Sequence, residues 1–201
     1  MNVPNKITLS RVFLSIVLLI LLIFPFYKFG FNFPTFVVAN GKVILDLKYV
    51  LCGIIFLIAS LTDFLDGYLA RKNNQVTDFG KVIDAIADKM LVNGVLIILA
   101  VESQISVIVP VVIVIRDIAV DSIKMIAGQK NGAIGASWTG KIKTICMLIG
   151  VTLLFFGNLP FELVNLRVAE FLILVATVLS VVSGVQYYLN NKKYLFSKDL
   201  Q

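Results

Sequence analysis

The chain has 201 residues, 59% of them hydrophobic, and its mean hydropathy is +0.95. These values exclude an ordinary soluble domain and indicate a single polytopic membrane domain over residues 1–201. The net charge is +6 with no histidine, which excludes imidazole-ligated metals and histidine general bases. Cys52 and Cys146 both lie in apolar runs and give no sign of a redox pair.

Apolar runs predict six membrane-spanning helices with short connections, because each span needs about 20 residues. The expected fold class is therefore an all-α membrane protein with an interfacial N-terminal segment. The predicted spans are 9–27, 44–66, 83–102, 105–125, 141–159 and 167–188. Residues 28–43, which are aromatic and punctuated by Gly, Asn and Pro, are expected to form an external loop.

The first polar feature is the segment Asn5-Lys-Ile-Thr8-Leu-Ser-Arg11. Asn5 is a favourable helix N-cap, and Thr8 and Arg11 follow it at three and six residues. The three side chains therefore share one face of a helix start. Capping combined with an anchor at the membrane interface explains this pattern equally well.

Four carboxylates within residues 63–88 give the strongest signal: Asp63, Asp66, Asp84 and Asp88. The first two are about 60° apart around a helix and the last two about 40° apart, so each pair forms one stripe. A charge in hydrocarbon costs at least about 2.5–3.5 kcal/mol, so we expect all four to face inward and to be neutralised. A cage of carboxylate oxygens suits Mg²⁺ or Mn²⁺ rather than zinc.

Two glycines accompany these pairs, since Gly67 lies about one turn beyond Asp63 and Gly80 about one turn before Asp84. Small residues let the two helices approach closely. The short polar segment before Gly80 predicts an antiparallel hairpin that brings both pairs to one membrane face. In the alternative interpretation, the carboxylates cap helix ends and pair with neighbouring Arg and Lys side chains.

Two later segments place cations in or beside apolar runs. Arg116 is expected to face a polar cavity, and an ion pair within its own helix, with Asp117 for example, is the alternative. A glycine-rich segment, 128–140, leads to Lys141 and Lys143 at a predicted helix start, where cations and backbone N–H groups can form an anion site. The same lysines are also ordinary topology signals.

The distribution of positive charge predicts that both termini are cytoplasmic. In that orientation the outside segments carry three lysines, whereas the inside segments carry Lys6, Arg11, Arg71, Lys72, Lys81, Lys124, Lys130, Lys141, Lys143, Lys192, Lys193 and Lys198. We therefore expect a multi-pass protein of the cell membrane with its carboxylates at the cytoplasmic face. Membrane lipids are expected partners through their anionic headgroups, and nucleic acid is not.

The stretch from Asp63 to Asp88 resembles the signature of the CDP-alcohol phosphotransferase family, Asp-x₂-Asp-Gly-x₂-Ala-Arg-x₈-Gly-x₃-Asp-x₃-Asp, at every position. The resemblance implies a transferase in which a hydroxyl attacks the β-phosphorus of a CDP-linked lipid and CMP leaves. It also implies two divalent ions held by the four carboxylates, with Asp88 accepting the hydroxyl proton. Gly67, Arg71 and Thr77 would line the CMP end.

Three shorter segments, 5–11, 116–117 and 140–144, are similar to the bacterial phosphatidylglycerophosphate synthase branch of that family. The branch joins CDP-diacylglycerol to sn-glycerol 3-phosphate, so these are the expected substrates. Asp117 departs from the glutamate more usual at its position. The resemblance implies that Asn5 and Thr8 help to bind the CDP-lipid. It implies an acceptor-phosphate site made of Arg11, Arg116, Lys141 and Lys143.

Two alternative functions stay open. A sibling enzyme would use the same chemistry with inositol phosphate, serine or phosphatidylglycerol as acceptor, and the cations at 116, 141 and 143 favour an acceptor that bears a phosphate. A cation carrier or channel would also use intramembrane carboxylates. Against the carrier, the signature carboxylates lie at one face and do not continue across the membrane. The oligomeric state is open, with a homodimer among the arrangements considered.

Overall fold

Long helices make up most of the described chain. The computed structural model describes residues 3–38, 41, 43–72, 78–131, 135 and 137–195, with the backbone alone at 3–5, 64–72, 78, 79, 81, 129–131 and 195. The long helices are α1 (Val3–Ile23), α2 (Leu47–Lys72), α3 (Asp78–Val101), α4 (Ile108–Asn131), α5 (Trp138–Phe155) and α6 (Val168–Leu195). Two short 3₁₀ helices, Phe26–Phe29 and Phe161–Val164, follow α1 and α5.

The long helices follow the order of the predicted spans, but several of their ends differ. α1 begins at Val3, so Asn5 lies inside the helix and the prediction that it is the N-cap is wrong. α1 ends at Ile23, before Pro25, which lacks the N–H that a continuing helix would need. The predicted glycine-rich loop is shorter than expected, because α4 reaches Asn131.

A small β-hairpin corrects the all-α prediction. Strands β1 (Thr35–Val38) and β2 (Val43–Asp46) pair antiparallel, with Thr35 opposite Asp46. β1 lies in the predicted loop 28–43, whereas β2 takes the first residues of the predicted span 44–66, so α2 begins only at Leu47. Both strands are rich in β-branched and aromatic residues, which suit a pleated surface. Gly41 between them has a φ of +90°, a backbone conformation that glycine adopts without strain. Tyr27 donates a hydrogen bond to Asp46, which raises the pKa of Tyr27 to about 12.

The long helices close into a ring. α1 packs against α2 and α3, α3 continues to α4, α4 and α5 both pack on α6, and α5 returns to α2. Glycines allow several of these contacts, as small residues do in membrane helix pairs. A Cβ on Gly94 would lie 2.7 Å from the Leu19 side chain, and one on Gly150 would lie 2.7 Å from Ile173.

The ring has a buried apolar core around Phe56 and Leu96, and it also buries polar side chains while many apolar ones face outward. Phe13 is 66% exposed and Phe171 63%, whereas Arg11 and Ser180 are fully buried. Such an apolar exterior is typical of a surface covered by lipid. Within the described residues, three helices contain stretches long and apolar enough to cross a membrane: Lys6–Ile23 in α1, Trp138–Phe155 in α5 and Val168–Tyr194 in α6. The chain is therefore a mostly helical membrane protein.

The two ends of the ring differ in what they bury. At one end α1, α3 and α5 begin and α2, α4 and α6 end, and most of the buried charges lie there. At the opposite end polar side chains satisfy backbone groups: Lys48 Nζ donates to the Leu22 carbonyl at 2.9 Å, and Asn158 Oδ1 accepts from the Ala169 N–H at 3.1 Å. The charged end is where a functional site is expected.

Candidate active site

An acidic cluster joins three carboxylates from two helices. Asp63 lies in the second half of α2, and Asp84 and Asp88 lie in the first turns of α3. One oxygen from each of the three lies within 4.8 Å of the others. The helical spacing of four residues aligns Asp84 with Asp88, and the antiparallel α2–α3 hairpin brings Asp63 beside them.

The cluster surrounds the guanidinium of Arg11 on α1. Arg11 donates to Asp63 and Asp84, and its Nη1 lies 3.1 Å from an oxygen of Asp88. The side chain of Arg11 is fully buried, and Thr8, one turn earlier on α1, is also buried. Sequence reasoning assigned Arg11 to the acceptor phosphate, but the structure places it among the carboxylates, because α1 packs between α2 and α3.

The described carboxylates fit a divalent cation. They offer hard oxygen donors, the type that Mg²⁺ and Mn²⁺ prefer. The Asp63, Asp84 and Asp88 side chains are 39%, 46% and 52% exposed, so their oxygens are accessible to a ligand. Three carboxylates face one guanidinium, which leaves negative charge for a further cation to balance.

A cationic cluster, centred on Arg116 of α4, lies opposite the acidic cluster. Arg116 Nε donates to the Ser180 carbonyl at 3.1 Å and Nη2 to Ser183 Oγ at 2.6 Å, both on α6. Its Nη1 donates to Asp117 at 3.0 Å, and Lys143 Nζ of α5 donates to the same carboxylate oxygen at 3.0 Å. The structure thus combines both arrangements that the sequence left open, an inward-facing Arg116 and an ion pair with its neighbour.

Two contributors to this cluster were missed by sequence reasoning. The ammonium of Lys124 lies 5.2 Å from the centre of the Tyr187 ring, and the Arg116 guanidinium lies 5.9 Å from it. Lys124 follows Arg116 by eight residues, about two helical turns, so its place on the same face of α4 could have been found from spacing. Nothing in the sequence pointed to Tyr187, which comes from a distant helix.

One cavity of about 380 Å³ connects the two clusters. Its charged lining residues are Asp63, Asp84, Asp88, Lys89, Arg116, Asp117, Asp121, Lys124 and Lys143. Lys89 and Asp121 form an ion pair between α3 and α4. The volume lies within the range of small-molecule sites, so anionic groups of one or two substrates can meet both clusters there.

Among the described side chains, Lys141 is a predicted site residue that does not line this cavity. Lys141 is exposed, and its ammonium lies 5.1 Å from the centre of the Trp138 ring. The side chains of Asn5, Asp66 and Arg71 lie outside the described residues, as does all of Thr77, and Gly67 is described by its backbone in α2 alone.

A cavity with an acidic and a cationic wall, at one end of a lipid-facing helix ring, defines a membrane site for anionic substrates. The model of the CDP-alcohol phosphatidyltransferase family matches residues 1–182, and the chain belongs to that family. The chain is therefore a transferase of that class, which confirms the resemblance read from the signature. The match includes every charged residue of the acidic and cationic clusters described above, and Ser183 and Tyr187 lie just beyond it.

Three curated relatives from different bacteria share the name CDP-diacylglycerol–glycerol-3-phosphate 3-phosphatidyltransferase. The protein from Bacillus subtilis (strain 168) is 38% identical over 190 residues, covering 94% of this chain and 95% of the relative. That from Rickettsia bellii (strain RML369-C) is 32% identical over 194 residues, covering 96% and 97%. That from Haemophilus influenzae (strain ATCC 51907) is 33% identical over 193 residues, covering 92% and 91%.

Proposed function

We propose that this chain transfers a phosphatidyl group from CDP-diacylglycerol to sn-glycerol 3-phosphate and releases CMP, giving phosphatidylglycerophosphate. The names of relatives that match nearly its whole length support the two substrates. The structural observation that carries the proposal is the single cavity with carboxylates on one wall and cations on the other. A pyrophosphate and an acceptor phosphate need different partners, and this cavity offers both.

The cationic wall binds the phosphate of the acceptor. Arg116 uses three N–H groups on Ser180, Ser183 and Asp117, and a guanidinium has five, so two remain for phosphate oxygens. Lys143 adds a second charge beside it. With serine, which has no net charge, these two cations would have only the single negative charge of Asp117 to balance them, and this favours glycerol 3-phosphate over serine.

The acidic wall holds the reacting centre. Asp63, Asp84 and Asp88, together with Asp66 of the signature, would hold two divalent ions, Mg²⁺ or Mn²⁺. When bound, such ions neutralise a pyrophosphate and stabilise the attacking and leaving oxygens. Arg11 supplies a fixed positive charge at the back of the same cluster.

The transfer step moves one proton and exchanges one P–O bond. The acceptor hydroxyl oxygen attacks the β-phosphorus of CDP-diacylglycerol, the bond from that phosphorus to the bridging oxygen breaks, and CMP leaves with the electron pair. Asp88 takes the hydroxyl proton, since its side chain is the most exposed of the three described carboxylates. By resemblance to the family, Gly67, Arg71 and Thr77 hold the CMP portion, and Asn5 and Thr8 contact the CDP-lipid.

The membrane arrangement that we propose has six spans with both termini and the cavity at the cytoplasmic face of the cell membrane. The long helices have 18 to 28 residues, or about 27–42 Å at about 1.5 Å per residue, which suffices for each to cross. In a cysteine-free background, a cysteine at position 74 should react with an impermeant thiol reagent from the cytoplasm alone, and one at Ser103 from outside alone. The reverse pattern would refute this orientation.

A CMP-release assay on the purified protein tests the activity. CDP-diacylglycerol is offered with glycerol 3-phosphate, inositol phosphate, serine or phosphatidylglycerol, each with Mg²⁺ and with EDTA. We expect metal-dependent CMP release with glycerol 3-phosphate. Equal turnover with serine would refute the acceptor assignment, and ion flux across vesicles without CMP release would refute the transferase.

A further inference from the structure

We propose that Tyr187 of α6 is a positioning residue that holds the acceptor-binding cations of α4 and α5 in place. The inference rests on the proposed function, in which Arg116 and Lys143 bind the acceptor phosphate. It adds Lys124 to these two cations. Tyr187 is 6% exposed, and its ring and hydroxyl contact two different helices.

The hydroxyl of Tyr187 fixes the start of α5. Its oxygen accepts from the Ser137 N–H at 2.9 Å, and its O–H donates to the Gly135 carbonyl at 2.9 Å. Ser137 is the N-cap of α5, and its Oγ accepts from the Gly140 N–H at 3.1 Å. Lys143 lies less than two turns into this helix, so the phenol sets where α5 begins and thereby where Lys143 lies.

The ring of Tyr187 lies against the two cations of α4. Lys124 and Arg116 approach its centre to 5.2 and 5.9 Å. An aromatic face attracts cations without cancelling their charge. Asp117 holds Arg116 and Lys143 with a full negative charge, which also weakens their attraction for phosphate. Tyr187 orders neighbouring cations that repel one another while it leaves their net charge available to the acceptor.

The adjacent tyrosine provides a matched control. Tyr188 is on the same helix, one residue later, but it is 42% exposed and points to another face. Substitutions at Tyr188 therefore test the effect of changing a tyrosine at this level of α6 without disturbing the contacts of Tyr187.

The variants Tyr187→Phe and Tyr187→Leu separate the two contacts. Phe removes the hydroxyl bonds and keeps the ring, so the KM for glycerol 3-phosphate should rise about threefold to tenfold. Leu also removes the ring and should raise that KM by a further factor of about three. The KM for CDP-diacylglycerol should change less than about twofold in both, whereas Tyr188→Phe and Tyr188→Leu should leave both constants unchanged.

Direct binding of glycerol 3-phosphate, measured by calorimetry without CDP-diacylglycerol, separates this inference from the activity. Weaker binding in the Tyr187 variants, matching the KM changes, supports the positioning role. Parallel increases in both KM values, or wild-type binding in Tyr187→Phe, would overturn it. If the wild-type protein neither binds glycerol 3-phosphate nor releases CMP, the proposed function itself is wrong. Should Tyr187→Leu fail to fold, Tyr187→Phe, which removes one oxygen, decides the question.

Discussion

The two walls of the cavity have the same arrangement of charged side chains, but with opposite sign. On the wall formed by α1–α3, three described carboxylates surround one arginine, Arg11. On the wall formed by α4–α6, Arg116 and Lys143 share one carboxylate, Asp117. In each wall, one residue of opposite charge fixes the positions of its neighbours. The charge that is not balanced in this way is available to a ligand.

This difference in charge explains why the two halves of the chain suit two different substrate groups. Several like charges close together would repel one another if none of them were paired. If all of them were paired, they would attract no ligand. A partly paired group of charges keeps its shape and still attracts a counter-ion. In the proposed function, the acidic wall therefore binds cations and the cationic wall binds phosphate.

The largest effect should follow from breaking the acidic wall. Asp63→Asn or Asp84→Asn removes a ligand charge and should abolish CMP release, since even outer partners of metal ligands cost about 10–100-fold. Mn²⁺ binding, measured by calorimetry, should weaken in parallel. Asp46→Asn, at the opposite end of the ring where Asp46 accepts from Tyr27, is the control and should keep its activity. Full turnover in folded Asp84→Asn would refute the metal assignment.

Within the acidic wall, Asp88 should differ from its neighbours. Asp88→Asn keeps oxygen coordination but cannot take a proton, so turnover should fall by about 10²–10⁴. Binding of CDP-diacylglycerol, measured separately, should fall much less. A parallel loss of binding and turnover would mean that Asp88 is chiefly a ligand and that another group accepts the proton.

Substitutions in the cationic wall should weaken the binding of the acceptor alone. Arg116→Lys loses the bidentate fork, and Lys143→Met loses a charge beside it, so either should raise the KM for glycerol 3-phosphate about tenfold to a hundredfold. The KM for CDP-diacylglycerol should change little. Lys141→Ala is the matched control on the same helix, and its effect should be small because Lys141 faces away from the cavity. An increase confined to CDP-diacylglycerol would contradict the division between the walls.

The smallest effect should come from removing the counter-charge of the acidic wall. Arg11→Met should raise the affinity for Mn²⁺ about threefold to tenfold, because a competing positive charge is lost. Its thermal stability in EDTA should fall, because three carboxylates then repel one another, and Mn²⁺ should restore it. Arg167→Met, at the opposite end of the ring, should change neither quantity. Weaker Mn²⁺ binding in Arg11→Met would show that Arg11 supports the metal site instead of competing with it.

Local spacing predicted the acidic wall well, because a helix fixes the angle between residues whatever surrounds it. The separations within Asp63–Asp66 and Asp84–Asp88, and the short connection between their helices, were enough to expect one cluster. Helical spacing also shows that Lys141 and Lys143 of α5 cannot both face one cavity. The two residues are two positions apart, which is about 200° around a helix. Which of them faces inward depends on how α5 packs against α2 and α6.

The sequence by itself determined the membrane class, the order of the long helices and the family, since hydropathy, helical periodicity and a contiguous signature are local properties of the chain. Only the tertiary structure decided which partners meet. It placed Arg11 among the carboxylates, joined Arg116 to Ser183, put Tyr187 beneath Lys124, and formed a β-hairpin where a loop was expected. These contacts join residues up to 77 positions apart. They depend on the order of helices around the ring, which close packing at glycines such as Gly94 and Gly150 sets and which no local pattern encodes.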